Sequence, residues 1–262
     1  MRRFFLIVTV ALATGWVGCA AAPAGPRGPL LGPGIEAATD WSYARAAAAA
    51  TLSDGLSTKG GADNYWGDLT ILPRRLEGRL SPLPWFDIGG QIGWLGGGAD
   101  ARIGIPALPG RFLAVNLAAG IDTGDIGPTH GTKPTRSRWV RLETYPALPF
   151  LDFNFRLVVA AGIHAGRFFH QLPDPRPQAS FNDGFAPGAI NIIRNETRLE
   201  TSVGAFLFPR PEASFLFTIS PYFVLDADAP GPGCVDCSAP VVDYRQSWGL
   251  VVVTRYAFRH GF

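Results

Sequence analysis

The sequence predicts an all-β chain closed as an antiparallel up-and-down barrel of eight to ten strands, with ten the preferred count. Three observations predict it. Apolar and polar residues alternate with period two over long stretches, such as LDFNFRLVVAAGIHAGRFF. These runs exceed the roughly 5–6 residues of an ordinary strand and reach the roughly 9–11 that a tilted membrane-spanning strand needs. Short proline-bearing turns alternate with long polar connections along most of the chain.

Composition narrows the classes. Gly 32 and Pro 23 in 262 residues suit many strands and turns better than long helices. A net charge of +2 provides neither a basic footprint for nucleic acid nor an acidic tail, so nucleic acid is not an expected partner. Beyond the N-terminus no run approaches the roughly 20 apolar residues of a membrane helix.

The elements follow in order. MRRFFLIVTVALATGWVGCAAAP begins with Arg2 and Arg3, turns apolar at Phe4 and ends in small residues, which reads as an export signal over residues 1–18. Its end, Val17-Gly18-Cys19-Ala20, resembles the lipobox of bacterial lipoproteins, with Trp16 where that family usually carries Leu. The resemblance implies a lipid anchor on Cys19 as the mature N-terminus. An ordinary cut among Ala20 to Ala22 is the alternative. Residues 19–40, including AAPAGPRGPLLGPG, read as an extended Pro/Gly/Ala-rich tether, with the barrel occupying 41–262.

Strands are predicted near 68–80, 85–95, 99–105, 110–121, 136–145, 151–169, 192–208, 213–225 and 241–262. A tenth is assigned near 41–53. Ala46 to Ala50 favour a helix by propensity, but closing an up-and-down barrel usually requires an even number of strands. Short turns fall at LSPLPWFD, IPALPGRF, YPALPFLD and FPRPEASF, and the triplet Arg-Leu-Glu recurs from Arg75, Arg141 and Arg198.

Period two does not say which face is outside. Charged and small residues share one face, a poor surface for a soluble protein but a fit for a narrow lumen. Predicted lumen charges are Arg75, Glu77 and Arg79, then Arg141, Glu143 and Arg156, then Arg194, Glu196, Arg198 and Glu200. Asp87, Asp100, Arg102, Asp152, Asp243 and Arg245 fall on the same predicted face. Aromatics beside the Pro turns (Trp85, Phe86, Tyr145, Phe150, Phe206, Phe208 and Phe215) suggest a girdle at one membrane interface.

The chain ends VVVTRYAFRHGF. Leu250, Val252, Tyr256, Phe258 and the terminal Phe262 are apolar or aromatic at even positions, interrupted by Thr254 and His260. This strand resembles the C-terminal signal of bacterial outer-membrane β-barrel proteins. The resemblance implies recognition by the barrel assembly machinery, pairing with the first strand, and residence in outer-membrane lipid. It also implies that the Pro turns face the periplasm and the long loops the exterior.

Three Cys leave Cys234 and Cys237 in GPGCVDCSAP once Cys19 is set aside. A disulfide pinching that loop is the preferred reading, with a redox pair the alternative. A zinc site lacks a second Cys pair, and no cofactor or metal is expected. The predicted function is a structural or surface protein, or a small-solute pore, with a narrow charged lumen. Two alternatives remain. One is a barrel-embedded hydrolase using His164 or His170 with Asp226 or Asp243. The other is a lipid-tethered soluble barrel like a lipocalin, with its apolar face inside.

Overall fold

Period-two alternation in the sequence becomes two surfaces of one wall. The computed structural model describes residues 25–61, 75–93, 96–124, 135–148, 151, 154–173, 189–228 and 241–262. Among these, eleven strands form one antiparallel sheet: β1 (Gly34–Leu52), β2 (Ser57–Gly61), β3 (Arg75–Leu83), β4 (Phe86–Gly93), β5 (Gly96–Ile105), β6 (Leu113–Gly124), β7 (Thr135–Pro146), β8 (Phe155–Pro173), β9 (Ala189–Arg210), β10 (Ala213–Ala227) and β11 (Val241–Gly261). No helix occurs among the described residues.

Each strand from β3 to β11 pairs with its sequence neighbour, and β11 also pairs with β1. That last ladder runs from Gly34 opposite Gly261 to Leu52 opposite Val241, which closes the sheet. β2 and β3 lie on the same edge of β1, against its far and near halves respectively. They share one position in the wall, so the barrel has ten staves. Closure pairs the first strand with the last, so neither is left as an open edge of the wall.

The Ala run that favours a helix by propensity is strand here. Ala48 to Ala50 pair with Gln246 to Tyr244 on β11. Ladder partners on both sides outweigh a propensity difference of less than about 1 kcal/mol per residue.

Short turns gather at one end of the barrel, which we call the turn end. β9 and β10, for example, are joined only by Pro211 and Glu212. Both β1's start and β11's finish lie there too. The opposite, loop end is uneven. β9 has 22 residues and β4 only 8, so at about 3.3 Å per residue one side of the wall stands tens of ångströms taller. β8, β9 and β11 form the tall side with the far half of β1, while β4 and β5 form the low side.

The outer face is apolar. Ile88, Ile103, Leu117, Val140, Leu142, Val203 and Phe223 are all exposed and belong to one parity of successive strands. The inner face is charged: Arg79, Asp87, Arg102, Glu143, Arg156, Glu196 and Arg198 are each at most 3% exposed. This polarity is opposite to that of a soluble lipocalin-like barrel, which therefore does not describe the chain.

Residues 25–33 correct the reading of 19–40 as a tether. Residues 34–40 already belong to β1, and the stretch before them packs inside the barrel, with Arg27 3% and Leu30 2% exposed. From Gly25, beside Thr218 and Val253, the chain descends to the turn end, where the Ala107 N–H donates to the Leu30 carbonyl at 2.7 Å. Gly28 adopts φ 96°, and a Cβ there would stand 2.7 Å from the Phe206 ring. Only glycine combines that conformation with so close an approach.

Three girdle residues, Tyr145, Phe206 and Phe208, are also corrected. Tyr145 is fully buried and Phe206 1% exposed, and both sit inside with Ala114, Val158 and Leu216 as an apolar floor at the turn end. Leu31 of the N-terminal segment and Phe208 pack against that floor. Tyr145 shares the parity of Arg141 and Glu143, and Phe206 that of Ser202 and Gly204, so both belong to the inner face. Trp85 and Phe215 do lie outside, and Phe150 is not among the described residues.

Candidate functional site

The candidate site is the barrel interior, which holds two groups of charges. The first spans β1, β3, β4, β5 and β11. Arg79 donates to Glu77 at 2.7 Å, to Asp87 at 2.8 Å and also to Asp100, while Arg102 holds the other side of Asp87. Arg255 from the last strand bonds Glu36 at 2.6 Å and reaches Glu77 at 3.4 Å. The N-terminal segment completes this group. Arg27 donates to Glu77 at 2.8 Å and lies 3.8 Å from Asp40, and its carbonyl accepts from Arg255 at 3.0 Å. The Gly28 carbonyl accepts from Arg102 and Asn116, while its N–H donates to the Tyr145 hydroxyl at 3.1 Å.

Five carboxylates thus meet four guanidiniums with nearly balanced charge. Buried ions are tolerated only when paired and hydrogen-bonded. The alternation of signs on the inner face meets that requirement, and residues 25–33 supply one of the cations. The segment fills the lumen above an apolar floor, which leaves this part of the barrel closed.

The second group stands higher, on β7, β8 and β9. Glu196 accepts from the Arg198 Nε at 2.8 Å and from Arg194, and the His170 Nε2 lies 2.8 Å from its carboxylate. The Arg198 guanidinium lies over the rings of Phe168 at 3.7 Å and Tyr222 at 4.4 Å, and Arg194 lies over Tyr244 at 4.5 Å. Such stacking compensates guanidinium groups where water is scarce. Arg141 lies 3.3 Å from Glu143 and stacks on Trp139.

His164 stands on β8 opposite Arg198 of β9. Its Nδ1 is 2.9 Å from a Glu200 carboxylate oxygen, and its Nε2 is 2.8 Å from the Ser137 hydroxyl. A carboxylate can only accept, so Nδ1 carries the proton. When the ring carries only that proton, Nε2 is the acceptor for the serine.

The structure therefore brings together nearly all the lumen charges read from sequence. Glu77, Arg79, Arg141, Glu143, Arg156, Arg194, Glu196, Arg198 and Glu200 are buried on the inner face, and Arg75 is half-buried beside Gln91. Arg245 is the exception. It lies outside with Asp243, 3.0 Å away, and the Arg245 side chain is 83% exposed. The ladder to β1 skips Ser247, and this bulge exchanges the faces, so Tyr244 and Gln246 point inward instead. The histidine partners are corrected likewise: Glu200 and Glu196 pair with His164 and His170, whereas Asp226 is exposed and Asp243 pairs with Arg245.

Arg27, Asn116 and Ser137 did not emerge as site residues from the sequence. Ser137 shares parity with Trp139, Arg141 and Glu143, which was the available signal. Arg27 is a single cation in a Pro/Gly stretch, a context that looks like linker. Of the terminal aromatics, Tyr256 is half-buried while Phe258 and Phe262 are exposed; Tyr256 and Phe258 lie on the β11 that pairs with β1, and Phe262 follows it. Cys19, Cys234, Cys237 and Asp152 lie outside the described residues.

Fold and interior together define a closed ten-stave up-and-down barrel with an apolar outside, a charged inside and an N-terminal segment within it. No protein-family model and no curated protein match the chain. Among solved structures the chain is similar to Neisserial surface protein A, with 9% identity and a TM-score of 0.33, covering 86% of this chain and 97% of that one. It is also similar to a major outer membrane protein from Thermus thermophilus, with 13% identity and a TM-score of 0.32, covering 86% and 99%.

Proposed function

We propose that the chain spans the bacterial outer membrane as a closed barrel and serves as a structural or surface protein rather than an open solute pore. The observation that carries this reading is the reversed polarity of the wall. Leu117 on the outer face is 47% exposed, while its neighbour Asn116 on the inner face is fully buried. Lipid accepts such a wall because closure pairs neighbouring strands, the first with the last included, and so satisfies their backbone groups within the sheet. The filled interior argues against conduction, since the paths that a solute would take are occupied by Arg27, Gly28 and the apolar floor.

The terminal aromatic strand supports delivery by the barrel assembly machinery, and the N-terminal signal supports export with a lipid on Cys19. A lipid there would give a second attachment to the membrane, and incorporation of labelled palmitate that Cys19→Ala abolishes would test it. Conductance tests the closed state. Protein reconstituted in planar bilayers should show no stepwise current, and frequent unitary openings of the wild-type chain would make it a pore.

A further inference from the structure

We propose that Ser137, His164 and Glu200 form an acyl-transfer site that hydrolyses carboxylic esters entering the barrel from its loop end. The proposal goes beyond the structural role and rests on the interior geometry alone. The three side chains come from three adjacent strands, β7, β8 and β9, and form an unbroken line of hydrogen bonds. Ser137 Oγ lies 2.8 Å from His164 Nε2, and His164 Nδ1 lies 2.9 Å from Glu200. A nucleophile within hydrogen-bond reach of a base, which a third group orients, is the arrangement that activates a serine hydroxyl.

Position supports the same assignment. His164 and Glu200 are buried, as the base and its orienting group should be, whereas Ser137 is only half-buried. Ser137 stands two residues from the loop-end start of β7, beside the low side of the wall. A substrate approaching from that end meets the hydroxyl before the imidazole.

One buried donor lies on the same strand. Among the described residues the Trp139 indole N–H has no acceptor; Trp139 is 6% exposed, two residues from Ser137 on the same face, and its ring lies over Gly120 of β6. A buried donor left without a partner costs about 1–3 kcal/mol.

The chemistry balances with water as the only co-reactant. Ser137 Oγ attacks the ester carbonyl carbon as its proton passes to His164 Nε2. The C–O bond to the leaving alcohol breaks, and the alcohol takes the proton from Nε2. Water then attacks the acyl-serine carbon and gives a proton to Nε2. The serine ester bond breaks, Ser137 recovers its proton, and a carboxylic acid leaves.

The test uses full-length protein folded in detergent, with folding verified on each preparation by its heat-dependent gel shift. The probes are a fluorophosphonate and p-nitrophenyl butyrate. Wild type should be labelled on Ser137 and should hydrolyse the ester. Ser137→Ala should lose both, and His164→Ala should slow hydrolysis about 10³-fold or more. Glu200→Gln should lower kcat at nearly unchanged KM, a split that a loss of packing alone would not give. Ser137→Cys provides a second route: its thiol should react with iodoacetamide faster than the same thiol in a His164→Ala background. Folded wild type that resists the fluorophosphonate and hydrolyses no faster than Ser137→Ala would overturn the proposal. Equal thiol reactivity in the two cysteine variants would overturn it as well. The gel shift reports separately on the barrel, so failure here leaves the structural reading untouched.

Discussion

Arg27 and Glu77, 50 residues apart in sequence, meet at 2.8 Å inside the barrel, and that contact joins the N-terminal segment to the wall. Glu77 also receives Arg79 and Arg255, so the segment enters an existing charge group rather than lying loose in the lumen. Arg27→Glu would place a carboxylate against Glu77 and Asp40. We expect this variant to lower the temperature of the heat-dependent gel shift and to cause intermittent bilayer conductance that wild type lacks. Unchanged melting and silence would mean that residues 25–33 contribute neither stability nor closure.

Glu196 gathers three partners, His170, Arg194 and Arg198, in the upper interior. Glu196→Ala leaves the two guanidiniums without this acceptor, and removing one partner of a buried pair costs about 3–5 kcal/mol. Asp243→Ala breaks an exposed pair with Arg245, where water screens the charges and the loss should be below about 1 kcal/mol. Urea titration in detergent should show a large shift for the first and almost none for the second. Equal shifts would contradict the assignment of inner and outer faces.

Leu117 and Asn116 separate a membrane wall from a soluble one. Leu117→Arg puts a charge in the middle of the apolar outer belt. Such a change costs about 2–4 kcal/mol near the midplane of a bilayer, but a solvent-exposed site would tolerate it within about 0.5 kcal/mol. Folding titrations into lipid vesicles measure the difference directly.

Removal of Phe262 should act on delivery more than on the finished barrel. The residue is 75% exposed and follows the last paired position, Gly261. We expect cells producing the truncated chain to hold less of it in washed outer membranes, while protein refolded in detergent keeps a nearly normal gel shift. A large loss of refolded stability would instead give Phe262 a structural role.

Most of the architecture could be read from the alternation itself. A two-residue period assigns faces without any knowledge of distant contacts, and closure follows from strand number and from a last strand able to pair with the first. The errors arose where period two is broken or where composition imitates a linker. The skipped Ser247 reverses the face of Arg245 and Asp243, and one extra residue leaves no compositional trace. Residues 25–33 consist of Pro, Gly, Leu and a single Arg, a mixture that tethers also use. Their burial depends on partners from β3, β5, β6 and β11. Tyr145 and Phe206 were legible by parity, but proximity to Pro turns pointed the other way. The neighbours of His164 arise from strand register, as Ser137 lies opposite Gly166 and His164 opposite Arg198. Register is a long-range property that no local stretch of sequence contains.

In the proposed arrangement the apolar face looks outward from a closed, lipid-embedded barrel. Gel mobility of the full-length protein from washed outer membranes, with and without boiling, tests it most directly. The account predicts a compact unboiled band that moves to the position of the unfolded chain on heating. A single unshifted band, from protein that washing releases in soluble form, would contradict it.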